Sequence, residues 1–218
     1  MNRDIKAMPT TGLSFYSVVE KRRTVRSFEN KAIEWDKLQR IIQAGMKAPS
    51  YNHMREWHFI FIKDSSKRQE ILEFGEAFSR VSDLQFLVDT LDKITNSYQR
   101  RVYQYSVPVQ GRILLQAPEV LVVCFHMAKP LSKCNSLFEL NNFASAWLVV
   151  ENILLAMAAE GLFGVTMVPF RTSAVKKLLN VPVDFEIATF IALGYPKKEP
   201  VLEQIRIKLE KRIHLNTW

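Results

Sequence analysis

Residues 119–125, Glu119-Val120-Leu121-Val122-Val123-Cys124-Phe125, form a continuous apolar run directly after Pro118. Because alternate side chains of a strand point to opposite faces of a sheet, an unbroken apolar run is typical of a strand that is covered on both faces. The sequence therefore predicts a central strand here, with Cys124 packed in the core. With 218 residues the chain can bury such a core, and no linker or repeat divides it, so one domain over residues 1–218 is expected.

Helices are predicted on both sides of this strand. Residues 141–160 are apolar nearly all round and are followed by Gly161, a residue suited to the end of a helix. The segment is long enough to cross a membrane, but Glu151 and Asn152 would be costly in lipid, so a buried core helix or a dimer-interface helix is preferred. Further helices are predicted over residues 14–21, 34–47, 67–91, 95–115 and 173–179.

Three more strands complete the predicted sheet. Runs rich in aromatic and β-branched residues occur at residues 57–62, 165–168 and 186–193. Pro49 cannot continue the helix before it, so residues 48–55 are expected to form a loop. Helices and strands follow one another without strict alternation, which predicts an α+β fold with a central mixed β-sheet flanked by helices.

The chain is basic, with a net charge of +8 and a pI near 9.5. Positive residues cluster at residues 21–26 and 206–212 but are otherwise scattered, and no known nucleic-acid-binding motif accompanies them. A site for a small phosphorylated ligand needs the same charges. We therefore expect neither nucleic acid nor a membrane as the main partner.

Several common kinds of site are excluded by the spacing of the residues that they need. The glycines form neither G-x-G-x-x-G nor a P-loop, and the histidines and cysteines form neither H-E-x-x-H nor C-x-x-C, so no metal is expected. The first twelve residues contain no apolar stretch that is typical of a secretory signal. Together with only two cysteines, Cys124 and Cys134, this favours a reducing, cytoplasmic location.

Two segments remain as candidates for a binding site. Arg22-Arg23-Thr24-Val25-Arg26 places three guanidinium groups and a hydroxyl within five residues, just after a predicted helix. Guanidinium groups bind phosphate in a bidentate manner, although a solvated basic turn has the same composition. The predicted loop carries Pro49, Ser50 and Asn52 directly before a strand, a pattern that also fits an ordinary turn.

On these two segments and three others, the sequence resembles the nitroreductase family. Residues 22–28 are similar to the family's R-R-S-x-R-x-F, with threonine retaining the hydroxyl, and residues 48–59 to A-P-S-x-x-N-x-Q-P-W-x-F. In the second match the asparagine is one place early, and Arg55-Glu56 replaces Gln-Pro. The remaining likenesses are Glu160-Gly161-Leu162 at a helix end, Gly194-Tyr195-Pro196, and a tail at residues 206–210 that is similar to R-K-P-L-E.

The resemblance implies an FMN-binding homodimer with a nitroreductase-like fold, in which the C-terminal tail extends over the partner subunit. It implies that Arg22, Arg23, Thr24 and Arg206 surround the phosphate and ribityl chain of FMN. Arg26, next to Val25, would lie near N1 and O2 of the ring, where a cation stabilises the charge of the reduced flavin. The partner's loop would supply Pro49, Ser50 and Asn52, and the stretch Thr166, Met167 and Val168 would pass N5.

The same resemblance implies the chemistry. Hydride passes from NADH or NADPH to the flavin and then to a small-molecule acceptor such as a nitroaromatic or a quinone, so no catalytic side chain is required. A rival within the superfamily is reductive dehalogenation, as in iodotyrosine deiodinases. Those enzymes use a threonine hydroxyl at N5 and a lid that includes a lysine. Here only Thr166 offers a hydroxyl, and the possible lid at residues 98–116 has Tyr103, Tyr105 and Arg112 but no lysine.

Two further interpretations of the function stay open. Another relative destroys flavin in cobalamin biosynthesis, and no residue selects or excludes that chemistry. From a different class of protein, a non-enzymatic flavin- or nucleic-acid-binding protein could use the same arginines. The sequence does not name the electron acceptor.

Overall fold

The structure, a computed structural model, describes residues 12–74, 91–168, 172–201 and 208–218. The helices are α1 (Phe15–Lys21), α2 (Trp35–Gly45), α3 (Ser65–Phe74), α4 (Ser97–Ser106), α5 (Gln110–Gln116), α6 (Asn141–Ala159) and α7 (Thr172–Leu178). The strands are β1 (Trp57–Phe61), β2 (Glu119–His126), β3 (Phe163–Met167) and β4 (Phe185–Gly194). Single 3₁₀ turns occur at Tyr51–His53, Val107–Val109, Leu131–Lys133, Phe138–Leu140 and Leu209–Lys211.

The four strands form one sheet in the order β1-β2-β4-β3. β2 is hydrogen-bonded on both sides, with Val122 opposite Ile60 of β1 and Phe190 of β4. The predicted α+β fold is confirmed, but all three strand pairings are antiparallel. The sheet is therefore antiparallel and not mixed as expected. A parallel pairing occurs at the isolated bridge between Thr24 and Gly164. An unbroken apolar run shows that both faces of a strand are covered and does not indicate strand direction.

The two faces of β2 pack into different parts of the core. Leu121, Val123 and Phe125 belong to a cluster that contains residues of α2 and α6. Val120, Val122 and Cys124 belong to a second cluster that contains residues of α3, α5 and α7. This alternation follows the pleat of the strand, in which successive side chains point to opposite faces. Burial raises the pKa of Cys124 to about 11, so its thiol stays protonated.

Helix α6 is a core helix. The segment Phe138–Ala159 is long and apolar enough to cross a membrane by length and composition. Its inner face, however, is packed against the sheet and α2, and the residues buried there are Ser145, Ala146, Val149, Val150, Ile153, Met157 and Ala158. Gly45 lets α2 approach closely, since a Cβ atom there would lie 2.7 Å from Cγ1 of Ile153. The opposite face of α6 leaves Leu148 48% exposed.

The ends of the elements follow the sequence signals in most places. Gly161 has a φ of +74°, as expected for the residue that ends α6. Helix α3 covers residues 67–74 of the predicted helix 67–91, and residues 75–90 of that prediction lie outside the described residues. The predicted helix 95–115 is divided into α4 and α5 by the turn Val107–Val109. Pro108 lies in that turn, and a proline removes one backbone N–H donor from a helix.

Candidate functional site

The basic motif at residues 22–26 follows α1 directly and then runs along the edge of the sheet. The hydroxyl of Ser14 accepts a hydrogen bond from the amide of Ser17 at 3.1 Å and so caps the start of α1. After the helix, Thr24 forms the parallel bridge with Gly164, and the amide of Val25 donates to the carbonyl of Gly164 at 3.0 Å. The motif is thereby fixed beside β3 and runs in the same direction.

Only glycine fits at the β3 end of this contact. A Cβ atom on Gly164 would lie 2.5 Å from the carbonyl oxygen of Ala192 and 2.8 Å from Cε of Met157. Because the first of these atoms belongs to the backbone of the neighbouring strand, it cannot move aside by a change of rotamer. Gly164 therefore allows β3 to pair closely with β4 while its own carbonyl group holds Val25.

The arginine side chains of the motif lie in different surroundings. Nε of Arg22 is 3.8 Å from Oε1 of Glu151 on α6, and both side chains are partly exposed. Nη1 of Arg23 donates to the carbonyl oxygen of Arg22 at 2.6 Å. Burial lowers the pKa of Arg26, while an electrostatic interaction with Tyr105 of α4 acts in the opposite sense. An arginine stays charged after such a shift, so Arg26 is a positive charge in a half-buried position.

The predicted stretch at residues 166–168 lies at the end of β3, on the strand edge that the basic motif follows. Thr166 is half-buried, Met167 is buried and Val168 is exposed. Oγ1 of Thr189 donates to the carbonyl oxygen of Met167 at 3.1 Å and holds the end of the strand. Since the bridge is parallel, the chain advances from Thr24 toward Arg26 as β3 advances from Gly164 toward Thr166. The structure thus brings two of the predicted site segments to one edge of the sheet.

The loop at residues 48–55 is anchored to the first turns of α6. The amide of Tyr51 donates to Oγ of Ser145 at 3.0 Å, and that hydroxyl donates to the carbonyl oxygen of Asn141 at 2.8 Å. Asn52, His53 and Arg55 all have positive φ values, of 48°, 54° and 50°. Backbone strain of this kind costs about 1–3 kcal/mol per residue and is concentrated at functional sites. The loop is therefore a strained segment held in place by α6.

The side chains of this loop do not all face outward. Asn52 is exposed, whereas Oγ of Ser50 is buried and has no hydrogen-bond partner among the described residues. The hydroxyl of Ser50 is therefore not presented on the surface of this chain. This inward orientation could not be read from the sequence, because a serine in a turn can face either way.

The loop and the basic motif meet α6 at different places. The loop contacts the helix at Ser145, and the motif contacts it at Glu151. Six residues along an α-helix correspond to a rise of about 9 Å and a rotation of roughly 120° between the two positions. Within one chain, the structure thus brings the motif to Thr166–Val168 but places the loop on another side of the helix.

Some predicted and some unpredicted residues complete the description of the site. The predicted phosphate ligand Arg206 lies outside the described residues. Sequence reasoning did not identify Glu151 and Tyr105 as neighbours of the arginines. Glu151 does carry a signal, because it is the acidic residue within an otherwise apolar helix. No group of three or more histidine, cysteine, aspartate or glutamate side chains that could hold a metal occurs in the part of the chain that the structure describes.

Comparisons with known proteins agree with this fold. A model of the nitroreductase family matches residues 19–195. A putative NADH dehydrogenase/NAD(P)H nitroreductase of Archaeoglobus fulgidus is 26% identical over 207 residues, which cover 92% of this chain and 97% of that protein. The iodotyrosine deiodinase of Thermotoga neapolitana is 25% identical over 181 residues, which cover 83% of this chain and 88% of the relative.

A solved structure gives the same result at the level of the fold. A crystal structure of oxidized iodotyrosine deiodinase bound to FMN and 3-iodo-L-tyrosine has a TM-score of 0.72 and covers 94% of this chain and 100% of its own. Its sequence identity is 21%, so this likeness is one of fold. Fold and sequence together define an α+β oxidoreductase of the flavoprotein class. The chain belongs to the nitroreductase family.

The contact at Gly164 generates a test of the site geometry. Gly164→Ala should destabilise the protein by about 1–3 kcal/mol, because the added methyl group must displace β4 or Met157. It should also speed hydrogen exchange at the amide of Val25, which that carbonyl group holds. Unfolding in urea and amide exchange measure the two effects.

Gly161→Ala provides the matched control for this test. A Cβ atom on Gly161 meets nothing within 4 Å, so this variant should lose only about 1 kcal/mol from its positive φ. The exchange rate at Val25 should not change in the control. If Gly164→Ala leaves that rate unchanged as well, the motif does not depend on the edge of β3.

Proposed function

We propose that this protein is an FMN-dependent oxidoreductase that transfers hydride from NADH or NADPH to a nitroaromatic, a quinone or a similar small acceptor. The observation that carries the proposal is the bridge between Thr24 and Gly164. It places the backbone of the motif that carries three arginines beside β3, and Arg26 of that motif is a half-buried cation. Family membership and whole-chain similarity to an NAD(P)H nitroreductase support the same function.

The donor set of the site fits FMN. Arg22, Arg23 and the hydroxyl of Thr24, joined by Arg206, would hold the phosphate and the ribityl chain, because guanidinium groups form charge-assisted hydrogen bonds with phosphate oxygens. Arg26 would lie near N1 and O2 of the ring, with Val25 fixing the backbone between the two groups. When bound, the flavin would supply the hydride chemistry itself. The residues would bind it, orient it and stabilise negative charge at N1.

The remaining contacts would come from a second subunit. Pro49, Ser50 and Asn52 lie in the loop that α6 holds away from the motif of its own chain. The exposed face of α6, with Leu148, offers an apolar surface for a partner. In a homodimer, the loop of one protomer could complete the site of the other. Thr166, Met167 and Val168 of the same chain as the motif would pass N5.

Iodotyrosine deiodination is a second candidate function, and one observation favours it. The deiodinase of Thermotoga neapolitana is as similar to this chain as the nitroreductase relative is, and a deiodinase structure shares the fold. The residues at the end of β3 favour the first candidate, because Met167 and Val168 offer no hydroxyl group beyond that of the half-buried Thr166. A reducing compartment such as the cytoplasm suits either activity, since Cys124 and Cys134 are both free thiols.

The first prediction tests the cofactor and the basic motif. The purified protein should be yellow with bound flavin, and Arg22→Ala should weaken FMN binding by roughly ten- to a hundredfold, because one charge-assisted contact is worth about 1.5–3 kcal/mol. Lys21→Ala is the matched control, since it removes the adjacent positive charge at the end of α1. Flavin content is measured by absorbance after removal of free FMN. An Arg22→Ala protein with undiminished flavin would contradict the proposal.

A second prediction concerns the homodimer. Sedimentation at low micromolar concentration should give a mass near twice 25.3 kDa. A mixed dimer of one Arg22→Ala protomer and one Asn52→Ala protomer should contain one intact site, because the intact motif and the intact loop then meet in the same site. Its activity should exceed that of either variant alone. A folded, flavin-loaded monomer would refute the shared site.

The third prediction separates the two candidate activities. With NADH or NADPH as the varied substrate and a nitroarene or quinone at several fixed concentrations, double-reciprocal plots should be parallel. Parallel lines are expected when the oxidised nicotinamide, having given up its hydride, leaves before the acceptor binds. Release of iodide from 3-iodotyrosine is the comparison assay. Efficient iodide release without turnover of nitroarenes or quinones would favour the deiodinase function.

A further inference from the structure

Thr189 of β4 is a polar residue inside the core. Its exposure is 0%, and the residues that follow it in the strand are the buried apolar residues Phe190, Ile191 and Ala192. A buried hydroxyl group is unfavourable unless it forms a hydrogen bond, so valine, which has nearly the same shape, is the residue expected at such a position. The presence of threonine points to a specific use of the hydroxyl group.

A β-bulge determines the direction of this side chain. In the pairing of β4 with β2, neighbouring residues of β2 lie opposite Thr189 and Ile187, so Ala188 between them has no partner. An extra residue of this kind bends a strand and changes the direction in which the adjacent side chain points. Here the side chain reaches β3, because Oγ1 of Thr189 lies 3.1 Å from the carbonyl oxygen of Met167. The same atom lies 3.1 Å from the carbonyl oxygen of Phe190 in its own strand.

The contact with Met167 lies at the last pair of residues in β3. Met167 is opposite Phe190, and Val168 lies beyond the end of the strand. The ends of elements open more readily than their centres. An additional buried donor at this pair therefore holds the carbonyl group of Met167 toward β4.

The direction of that carbonyl group fixes the direction of the next amide. In a trans peptide unit the C=O and N–H groups point in opposite directions, and the described residues contain no cis peptide bond. Because the carbonyl group of Met167 faces Thr189, the N–H group of Val168 faces away from β4. On that outer edge of β3, the carbonyl group of Gly164 accepts a hydrogen bond from Val25. The amide of Val168 therefore points to the side on which the basic motif lies.

We propose that Thr189 is a positioning residue, which aims the N–H group of Val168 at the bound cofactor. The proposal rests on the proposed function, in which Thr166, Met167 and Val168 pass N5 of FMN. Thr189 does not touch the flavin, because β3 lies between them. It sets the direction of a backbone donor, and its complete burial keeps water from competing for the hydroxyl group.

Two substitutions of Thr189 test the contact in the flavin-free protein. Thr189→Val keeps the shape of the side chain and removes the hydroxyl group, whereas Thr189→Ser keeps the hydroxyl group. The carbonyl ¹³C resonance of Met167 should move upfield in Thr189→Val, because that carbonyl group loses a hydrogen bond. It should stay near its original position in Thr189→Ser. An unchanged resonance in Thr189→Val would show that the hydroxyl group does not hold Met167.

FMN labelled with ¹⁵N at N5 reports the effect on the cofactor. A nitrogen that accepts a hydrogen bond resonates upfield of one that does not, so the N5 resonance should move downfield in Thr189→Val and return in Thr189→Ser. Reduction of the bound flavin by NADH or NADPH should slow by about three- to tenfold in Thr189→Val, the order expected for one hydrogen bond. If FMN binds and N5 is unaffected by the loss of the hydroxyl group, Thr189 is not a positioning residue.

Ile187→Val is the matched control. Ile187 is buried in the same strand on the other side of Ala188, and the variant loses one methyl group but no hydrogen-bonding group. It should lower stability, because a buried methyl group is removed, and should leave both resonances in place. Equal shifts in Ile187→Val and Thr189→Val would mean that the shifts report only a loosened core.

Amide exchange in the unchanged protein provides a test that needs no variant. The N–H group of Val168 should exchange rapidly without flavin and slowly once FMN is bound. Slow exchange in the flavin-free protein, or no slowing on binding, would contradict the orientation proposed for this amide. A protein that never binds FMN would overturn the proposed function, and the Met167 resonance would then still decide whether Thr189 holds the end of β3.

Discussion

The structure depends on the burial of β2 on both faces while both of its edges are hydrogen-bonded. A strand in that position satisfies its backbone groups through β1 and β4, and every side chain from residue 119 to residue 125 is buried. Neither face can then be left to solvent, so helices must cover both. α2 and α6 lie on one face, and α3, α5 and α7 lie on the other. The layered architecture follows from this single strand.

The candidate site lies at one edge of the sheet. β3 is one of the two edge strands of the sheet, and its outer edge is paired with the basic motif that follows α1. Gly164 joins the two because it is small enough for β4 on one side while its carbonyl group binds Val25 on the other. The backbone of the motif, which carries the charged side chains, is therefore held by hydrogen bonding to the sheet and does not form a flexible surface turn. This distinguishes the segment from a solvated basic turn of the same composition.

Much of the fold could be predicted from the sequence because it follows from local patterns. The apolar run gave β2, Gly161 marked the end of α6, and Ser14 lies at the start of α1 as its cap. The division between α4 and α5 was not predicted, since a single helix was expected over residues 95–115, although Pro108 marks the division locally. Strand direction was not predictable in this way, because it depends on how distant segments pair.

The candidate site was less predictable than the fold, because it also depends on how distant segments pack together. The arginines are close in sequence, so their cluster could be recognised. The interactions of Arg22 with Glu151 and of Arg26 with Tyr105 join residues that are far apart in the chain. The buried Ser50 hydroxyl belongs to a residue that lines a small cavity together with residues of β2 and α6, which are distant in the sequence. No pattern within a single segment contains that information.

The two cysteines differ in a way that makes them internal reporters of unfolding. Cys124 is 2% exposed in the central strand, and its thiol is held protonated, so an alkylating reagent can reach its reactive form only when β2 leaves the sheet. Cys134 is partly exposed in a turn outside the sheet. The rate at which Cys124 is labelled would thus measure opening of the whole core, while Cys134 would give the rate for the native surface in the same sample.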